Sequence, residues 1–509
     1  MKKMFNQYIP FTSLAMRKIL VGALSALYAA SSISAAPNDL PSGANVVSGN
    51  VAIHSNGSQM NINQSTDKSI INWNSYNVGS NAAVNYQLPN TGSVSLNRVV
   101  GNDLSSIQGS INSNGQVILI NPNGVVFGSG SKIDVQGFVA STLNMRDQDF
   151  LNGNLNFING STAGDIINEG SILADYVALL APEVINDGVI VANQGTVALA
   201  AGDAVTLNIV GQNLVGIEVD KADVDTLIEN KQLVKADGGL ILISAQSASQ
   251  LIGKVINTGE ISADGILNDG GDIYLTASSS IDHSGVITAN ASTRGDGGHI
   301  EVVASLQNPN STTHIDGVIE AKGGTLSGDG GFVETSASTL SFGDAAEVST
   351  QSLFGKAGTW LLDPVDFYIG NPGGAFTPTI TIANLEAALA LNNVVIDTST
   401  GAVNCTNAAC GNGSGNGGDI YLLDDLNVPA NTLVLQPFDD LYLDAEIETV
   451  GAGDVAIVLN VGANIIRGTQ WVLGANAAAN GAVYDSNTMI AVPAAAGTWS
   501  RPAALASSS

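Results

Sequence analysis

The residues that could carry acid–base or metal chemistry are few and dispersed along the chain. Four histidines occur, none with a partner at the spacing of metal ligands: His54, His283, His299 and His314. The acidic pairs Asp424-Asp425 and Asp439-Asp440 could supply the two carboxylates of a β-helical polysaccharide-cleaving enzyme. Neighbours on a strand point to opposite faces, however, so we expect these pairs to be surface charge. The sequence therefore predicts no catalytic residue, no cofactor and no bound metal.

Two short motifs are typical of binding sites but have a simpler interpretation. Gly413, Gly415 and Gly418 match the G-x-G-x-x-G pattern of dinucleotide sites, which must open a helix, whereas here they lie in a loop that leads into a strand. Arg294, Gly295 and Asp296 form an Arg-Gly-Asp tripeptide, a motif that binds integrins in some adhesins. Because Gly-Asp-Gly-Gly recurs at residues 328–331, we interpret both copies as turns between strands.

Composition excludes one class of partner. Acidic residues outnumber basic residues 45 to 17, which gives a formal net charge of −28. Nucleic acids and anionic lipid surfaces repel such a chain, since both require Lys and Arg for neutralisation. The hydrophobic fraction of 44%, arranged in regular alternation, favours folded strands over disorder.

The amino terminus has the pattern of a secretory signal peptide. Lys2, Lys3, Arg17 and Lys18 precede an apolar run at residues 19–30, which mostly small residues follow up to Ala36. A run of about a dozen residues is too short to span a bilayer. We expect cleavage near Ala35 or Ala36 and therefore assign residues 1–36 to the signal peptide.

The cysteine pair is consistent with this exported destination. Cys405 and Cys410 are the only cysteines. In an oxidising periplasm or outside the cell they could close a small disulfide-linked loop, a local staple.

Internal repeats predict the fold. Asp237-Gly238-Gly239 recurs at residues 269–271, 296–298 and 329–331, at intervals of 32, 27 and 33 residues, and an alternating strand follows each copy. Asp-Gly supplies a turn. Intervals of this size are what stacked coils require. We therefore predict an all-β protein, a right-handed parallel β-helix over about residues 45–365.

Asparagine and one helical segment complete this prediction. Asn at coil corners can stack into ladders and satisfy backbone groups at the turns, as expected for the repeats at residues 166–172 and 184–190. Residues 381–391 predict a short helix with Leu385, Ala388 and Leu389 on one side. We expect this helix to pack beside the solenoid as a small insertion, before a further β region at the carboxyl-terminal end.

Several motifs in order resemble the secretion domain of two-partner secretion exoproteins, the filamentous haemagglutinin family. The sharpest is Asn121-Pro122-Asn123-Gly124, a corner between two strands, since proline restricts φ while Asn and Gly tolerate positive φ. The others are Asn63 in an "xINQ" segment, Asn72 in an "INWxSFNIG"-like segment, Asn97-Arg98-Val99, and a "GxxAST" close at residues 137–142. Further on, residues 331–336 and 355–364 resemble a block of high-molecular-weight adhesins and haem-acquisition exoproteins.

The resemblance implies a function and a domain order. Residues 37–285 would be the secretion domain, residues 286–365 continuing β-helix repeats, and residues 366–509 a β-rich region with a short helix and an Ala/Ser-rich tail. A dedicated outer-membrane pore protein would export the chain, through Sec and the periplasm, to the medium or the cell surface. There we expect a non-catalytic, adhesin-like protein that binds a host cell surface or another extracellular ligand. The alternatives are capture of a host haem carrier and, less favoured, a β-helical polysaccharide-active enzyme.

Overall fold

The structure, a computed structural model, describes most of the chain after residue 34. The described residues are 35–160, 163–221, 225–246, 252–265, 269–373, 377–398, 417–450, 455–461, 464–467, 483–485, 488–489 and 498–500. Residues 1–34, which contain most of the predicted signal peptide, and the cysteines 405 and 410 lie outside these ranges.

The elements are nearly all short strands. The first are β1 (Asn45–Ser48), β2 (Val51–Asn56), β3 (Gln59–Gln64), β4 (Lys68–Trp73), β5 (Ala83–Gln87), β6 (Val94–Val99), β7 (Ser105–Ile107), β8 (Ser110–Ser113), β9 (Gln116–Ile120), β10 (Val125–Phe127), β11 (Lys132–Asp134) and β12 (Gly137–Ser141). Then follow α1 (Asp147–Asn152), β13 (Leu155–Ile158), β14 (Ile166–Asn168), β15 (Ser171–Ala181), β16 (Glu183–Asn186), β17 (Val189–Ala201), β18 (Ala204–Val210), β19 (Asn213–Lys221), β20 (Thr226–Asn230), β21 (Leu233–Lys235) and β22 (Leu240–Ala245).

The same pattern continues toward the carboxyl terminus. These elements are β23 (Gly253–Asn257), β24 (Glu260–Ser262), β25 (Asp272–Ala277), β26 (Ser280–His283), β27 (Val286–Thr288), β28 (His299–Ala304), β29 (Thr312–Ile315), β30 (Val318–Glu320), β31 (Phe332–Ser336), β32 (Thr339–Phe342), β33 (Glu347–Ser349), β34 (Thr359–Asp363) and β35 (Phe367–Ile369). The last are α2 (Ile382–Leu389), β36 (Asn393–Asp397), β37 (Ile420–Leu422), β38 (Leu426–Val428), β39 (Thr432–Gln436), β40 (Leu441–Leu443), β41 (Ile447–Thr449), β42 (Ala456–Leu459), β43 (Asn464–Arg467), β44 (Val483–Asp485), β45 (Thr488–Met489) and β46 (Thr498–Ser500).

Parallel pairing between successive coils arranges these strands as a β-helix with three faces. Face 1 contains β22, β25, β28, β31 and β34, paired in that order. Face 2 contains β20, β23, β26, β29 and β32, and face 3 contains β21, β24, β27, β30 and β33. The predicted all-β, parallel β-helix is confirmed. Its face 1 does not end near residue 365 but continues through β36, β39 and β42.

The core of the solenoid consists of the apolar side chains at alternate positions of each strand. In β25 the side chains of Ile273, Leu275 and Ala277 point inward and are fully buried, and those of Asp272 and Tyr274 point outward. The next coil repeats the pattern with Ile300, Val302 and Ala304, also fully buried. Each coil therefore buries its apolar side chains against the coils before and after it.

The Asp-Gly-Gly repeats form the corners between face 3 and face 1, for a reason that differs from the one we expected. Of their glycines only Gly238 has a positive φ, of +61°. At Gly298 a methyl group would overlap the carbonyl oxygen of Gly271 in the preceding coil. Glycine is required there because two backbones approach closely, whereas the turn conformation itself does not demand it.

The predicted short helix is confirmed, but its place in the fold is not the expected one. It spans Ile382–Leu389, and the Thr381 hydroxyl caps it by accepting the Asn384 N–H at 3.2 Å. Ile382, Leu385, Ala388 and Leu389 are buried in the core of the solenoid. The helix packs against β33, β36 and β38 and therefore takes the place of a face-3 strand in its coil. The expectation that it packs beside the solenoid was wrong, because its apolar side chains fill the interior.

A second layer covers part of face 1. Strands β13, β18 and β19 form an antiparallel sheet, and with α1 they bury a second apolar core against the outer side of β4, β6, β9, β12, β15 and β17. Phe150 of α1 and Phe157 of β13 are buried in it. In the part of the chain that the structure describes, no helix is both long and apolar enough to cross a membrane.

The position of α2 leads to a stability prediction. Leu385 is fully buried, so Leu385→Ala should lower the local free energy of unfolding by about 2–5 kcal/mol through loss of apolar contacts and creation of a cavity. Hydrogen exchange should show this loss in residues 359–398, with the amino-terminal coils unchanged, since solenoid repeats contact only their neighbours. Leu326, which is 55% exposed, provides the control as Leu326→Ala. Equal protection in the two variants would contradict the assignment of α2 to the core.

Candidate functional site

The structure brings most of the residues singled out in the sequence to three neighbouring face-1 strands. In the β4–β6–β9 stack, Asn72 pairs with Arg98 and Arg98 with Ile120, while Val99 lies beside Trp73. Residues 121–124 follow directly after β9. Asn63 does not join this group, because it lies on β3, a face-3 strand, with its side chain exposed.

The Asn-Pro-Asn-Gly segment forms the corner between face 1 and face 2. Asn121 is fully buried, and its Nδ2 donates to the carbonyl oxygen of Asp103 and to Ser105 Oγ, both at 3.0 Å. Its Oδ1 accepts the backbone N–H and the Nδ2 of Asn123, also at 3.0 Å. Since residues 103 and 105 belong to the preceding coil, one amide side chain joins the corner to the coil before it.

The corner's backbone differs from one expectation. Among its four residues only Gly124 has a positive φ, of 116°. Asn123 is exposed, and its Nδ2 donates to the carbonyl oxygen of Gly101 at 3.0 Å. The two asparagines are therefore explained by the hydrogen bonds of their amides, and the expected tolerance of positive φ applies to Gly124 alone.

Asn97 belongs to a buried polar layer inside the first coils. Its Oδ1 accepts the indole N–H of Trp73 at 3.1 Å, and its Nδ2 donates to the carbonyl oxygen of Ser95 at 3.1 Å. Ser69 in turn donates to Gln64 Oε1 at 2.5 Å. Sequence reasoning placed Gln64 in the "xINQ" segment without this role and missed Ser69. Their signal was a polar residue at an inward position of an alternating strand.

Arg98 and Lys68 hold the two ends of α1. The Arg98 guanidinium forms an ion pair with Asp147 at 2.7 Å and donates to Asn144 Oδ1 and to the carbonyl oxygen of Met145. Lys68 Nζ donates to the carbonyl oxygens of Phe150 and Leu151 at 2.9 and 3.0 Å, as a cation at a helix carboxyl terminus should. Arg98 therefore fastens the covering layer to face 1.

A ladder of amides runs through the face-2 corners, as the sequence predicted. Each Nδ2 donates to the next Oδ1 at 2.8 Å along Asn168, Asn186, Asn230 and Asn257. Asn257 then donates to His283 Nδ1 at 3.0 Å, and His283 Nε2–H donates to the carbonyl oxygen of Val318 at 3.2 Å. His283 thus ends the ladder as a neutral imidazole. Burial lowers its pKa to about 4, and interactions with the backbone of Val318 and of Asn257 oppose that shift.

The Arg294-Gly295-Asp296 tripeptide lies in a ladder of aspartate turns. The backbone N–H of Asp296 donates to Asp269 Oδ1, and Asp296 Oδ1 accepts the N–H of Asp329, each at 2.7 Å. Asp329 Oδ1 accepts the N–H of Lys356 at 2.8 Å. The carboxylate of the tripeptide therefore has the structural role of a coil turn.

Three carboxylates come together near the carboxyl-terminal end. Oxygen atoms of Asp419, Asp439 and Asp440 lie within 4.8 Å of one another. Asp440 is buried, at 9% exposure, so the expectation of plain surface charge was wrong for this residue. Burial, followed by the charges of Asp440 and Asp419, raises the pKa of Asp439. Asp419 Oδ1 accepts the N–H of Asp440, and its Oδ2 accepts the Tyr421 hydroxyl.

Comparisons with known proteins found one family model and several similar proteins. The family described as "TPS secretion domain" matches residues 38–289. A heme/hemopexin-binding protein of Haemophilus influenzae is 35% identical over 228 residues, which are 43% of this chain and 25% of the relative. A second protein of that description and species is 40% identical over 105 residues, 20% of this chain and 11% of the relative. The matches thus span a quarter or less of these relatives.

A solved structure supports the fold. The crystal structure of the HMW1 secretion domain from Haemophilus influenzae matches with a TM-score of 0.54 at 22% identity, and the match covers 85% of this chain and all of that chain. At this identity the likeness concerns the fold alone.

His283, at the end of the amide ladder, should make the stability of the protein depend on pH. The folded-state pKa of His283 lies near 4 and the unfolded value near 6.5, so its contribution to stability is complete above pH 6.5 and declines as the pH falls toward 4. The full loss is about 3 kcal/mol. His283→Asn should remove this dependence, because an amide can accept from Asn257 at every pH in that range.

Urea unfolding between pH 4.5 and 7 would measure the effect. His314, which is exposed, supplies the control as His314→Asn. A stability difference between parent and His283→Asn that stays constant over this range would contradict a neutral, acceptor role for His283.

The carboxylate cluster provides the most severe test of the prediction that no metal is bound. Three carboxylates carry six oxygens, and both oxygens of Asp419 already accept hydrogen bonds from protein donors, which leaves at most four where Ca²⁺ prefers six to eight ligands. We expect elemental analysis of the dialysed protein to find no stoichiometric metal, with the same result for Asp439→Asn. One calcium or zinc per chain, lost in Asp439→Asn, would refute the prediction.

Proposed function

Because this chain belongs to the two-partner secretion exoproteins, we propose that an outer-membrane pore protein recognises its amino-terminal domain and exports it. The observation that carries this proposal is the match of residues 38–289 to the secretion domain, with the predicted motif residues grouped on β4, β6 and β9. The proposed route begins with Sec export by the signal peptide at residues 1–36. The chain then crosses the periplasm and passes the pore unfolded.

Folding outside the cell follows from the architecture. Each coil contacts chiefly the coils before and after it, so the solenoid can form in order as the chain emerges. The Asn121 amide donates to residues 103 and 105 of the preceding coil. Its hydrogen bonds thus become available only after that coil has formed. We propose that the coils around Asn63, Asn72, Asn97, Arg98, Val99 and residues 121–124 act as both address and folding template.

For the exported protein we propose a non-catalytic, adhesin-like role in binding a host cell surface or another extracellular ligand. The net charge of −28 supports a ligand other than nucleic acid. In this proposal residues 37–285 serve secretion, residues 286–365 continue the solenoid, and residues 366–509 form a carboxyl-terminal β-rich region. We further propose that Cys405 and Cys410 form a local disulfide.

Capture of a host haem carrier is the second candidate. Two relatives named heme/hemopexin-binding protein favour it, at 35% and 40% identity over the matched residues. Surface plasmon resonance with immobilised mature chain and soluble hemopexin, loaded with haem or free of it, separates this candidate from the adhesin. Binding of hemopexin by the full mature chain would favour it over a cell-surface ligand.

The corner supplies the test of the secretion proposal. Asn121→Ile leaves the Asp103 carbonyl, the Ser105 hydroxyl and the Asn123 N–H without their partner, and each such loss costs about 1–3 kcal/mol. We expect the extracellular amount to fall by about tenfold while export to the periplasm continues. Asn123→Ile, which removes the bond to Gly101, should have a smaller effect. Immunoblots of medium and periplasm, with and without the pore partner, measure both.

Asn213→Ile is the matched control, since Asn213 is an exposed asparagine that belongs to none of the secretion motifs. Its secretion should equal that of the parent. If Asn121→Ile disappeared from the periplasm as well, the corner would be an ordinary structural turn. Normal secretion of Asn121→Ile, or arrival of the parent in the medium without any pore partner, would refute the proposal.

A further inference from the structure

The outer side of face 1 changes its character along the solenoid. From β4 to β17 most of its outward side chains are apolar and buried beneath the antiparallel layer, as for Ile118, Val139 and Leu180. From β25 to β31 the same side carries rings and carboxylates that are exposed or half-buried. These are Asp272, Tyr274, His299, Glu301, Phe332 and Glu334, which we call the acidic aromatic face.

The rings of this face stack along the solenoid axis. His299 lies over Phe332 with ring centroids 4.8 Å apart and an interplanar angle of 16°. Tyr274 contacts the other side of His299 at 5.6 Å. His299 and Phe332 are in register on adjacent strands, and Tyr274, which pairs with Glu301, reaches His299 diagonally. The result is a half-exposed aromatic strip on rigid strands, a surface against which apolar groups and cations can pack.

Carboxylates flank the strip with little positive charge to balance them. Glu301 and Glu334 face each other across adjacent strands, and like charges in that arrangement repel. Burial, followed by the charge of Glu301, raises the pKa of Glu334, although a hydrogen bond from Ser336 and the nearby His299 oppose this shift. His299 Nε2 lies 2.7 Å from Glu301 Oε1. A cation placed between the two glutamates would relieve their repulsion.

A groove continues the negative surface beside the rings. It has a volume of about 540 Å³, and it runs along the aspartate turns at Asp269, Asp296 and Asp329. Lys356 also lines this groove, and the backbone N–H of Lys356 donates to Asp329 Oδ1. The groove therefore extends the acidic aromatic face sideways and favours positively charged groups along the whole row.

We propose that the acidic aromatic face binds an extended segment of another protein in which the side chains on one side of the segment, at every second residue, are in turn apolar and basic. Its apolar side chains would lie against Tyr274, His299 and Phe332, and its Lys or Arg side chains beside Glu301, Glu334 and the aspartate turns. The covered half of face 1 shows that the outer side of these strands accepts a layer of extended chain. The charge of −28 disfavours a second copy of this chain and an anionic membrane. This inference rests on the proposed role of the chain as a ligand-binding exoprotein.

Binding of defined peptides to the full mature chain tests the proposal. The probe is a fluorescent nonapeptide with leucine and lysine in turn at its odd positions and serine at its even positions, so that both face the protein from an extended chain. Fluorescence anisotropy at low salt reports its affinity. One comparison peptide has serine in place of leucine, and another has glutamate in place of lysine. We expect the leucine–lysine peptide to bind most tightly, with an affinity that falls as salt is added, and the glutamate peptide not to bind.

Two double variants locate the surface. Glu301→Gln with Glu334→Gln, and separately Tyr274→Ser with Phe332→Ser, should each weaken binding by about fivefold. Asp187→Asn with Asp282→Asn, at exposed positions outside face 1, removes the same charge and should change the affinity by less than about twofold. All substituted side chains point outward, and unchanged thermal unfolding of each variant would show that it is folded.

Three results would overturn the proposal. They are absence of binding, equal weakening in the Asp187/Asp282 control, and equal affinity for the serine–lysine peptide. The secretion assay stays independent of these measurements. A chain that is exported through its partner yet does not bind the peptide would refute this inference alone. A chain that binds the peptide but reaches the medium without a partner would refute the secretion proposal alone.

Discussion

The constraint on which this structure depends is the hydrogen bonding of each coil to the next, in register and about 4.8 Å apart. Every coil must present its backbone to its neighbour at this spacing along all three faces. At the corner between face 3 and face 1 this spacing leaves room only for glycine at Gly298, where a methyl group would overlap Gly271. The recurrence of Asp-Gly-Gly is the consequence of this spacing.

The same stacking determines how buried polar groups are satisfied. An amide donates on one side and accepts on the other, so asparagines at equivalent positions join into a ladder from Asn168 to Asn257. The registered column continues with His283 and then with Ile315, which cannot accept a hydrogen bond from a side chain. His283 suits the junction because it accepts with Nδ1 and donates from Nε2 to a backbone carbonyl. Protonation of His283 at low pH therefore removes the acceptor at this junction and lowers the stability of the fold there.

The outer surface of face 1 is covered in one part of the solenoid and half-exposed in another. In the amino-terminal half its outward apolar side chains are covered by the antiparallel layer, which Arg98 and Lys68 fasten through α1. Farther along, aromatic and acidic side chains keep the surface half-exposed, as at Phe332 and Glu334. Charge on an exposed sheet discourages unspecific association and at the same time selects for basic partners.

The sequence alone determined what depends on local pattern. Alternation and the Asp-Gly-Gly intervals predicted the parallel β-helix, the apolar period of residues 381–391 predicted a helix, and asparagine at the turns predicted an amide ladder. Motif order indicated the secretion domain, which the match at residues 38–289 supports independently. These inferences succeed because side-chain periodicity and turn chemistry depend on residues that are only a few positions apart in the chain.

Only the tertiary structure decided which residues meet across coils. The helix Ile382–Leu389 became part of the solenoid wall, Asp440 was buried beside Asp419, and Asn63 separated from the motif residues on face 1. Arg98 forms an ion pair with Asp147 in the covering layer, which no repeat in the sequence predicted. The physical reason is that strand pairing and burial depend on register between segments tens of residues apart, whereas an alternating pattern specifies only which side of its own strand is apolar.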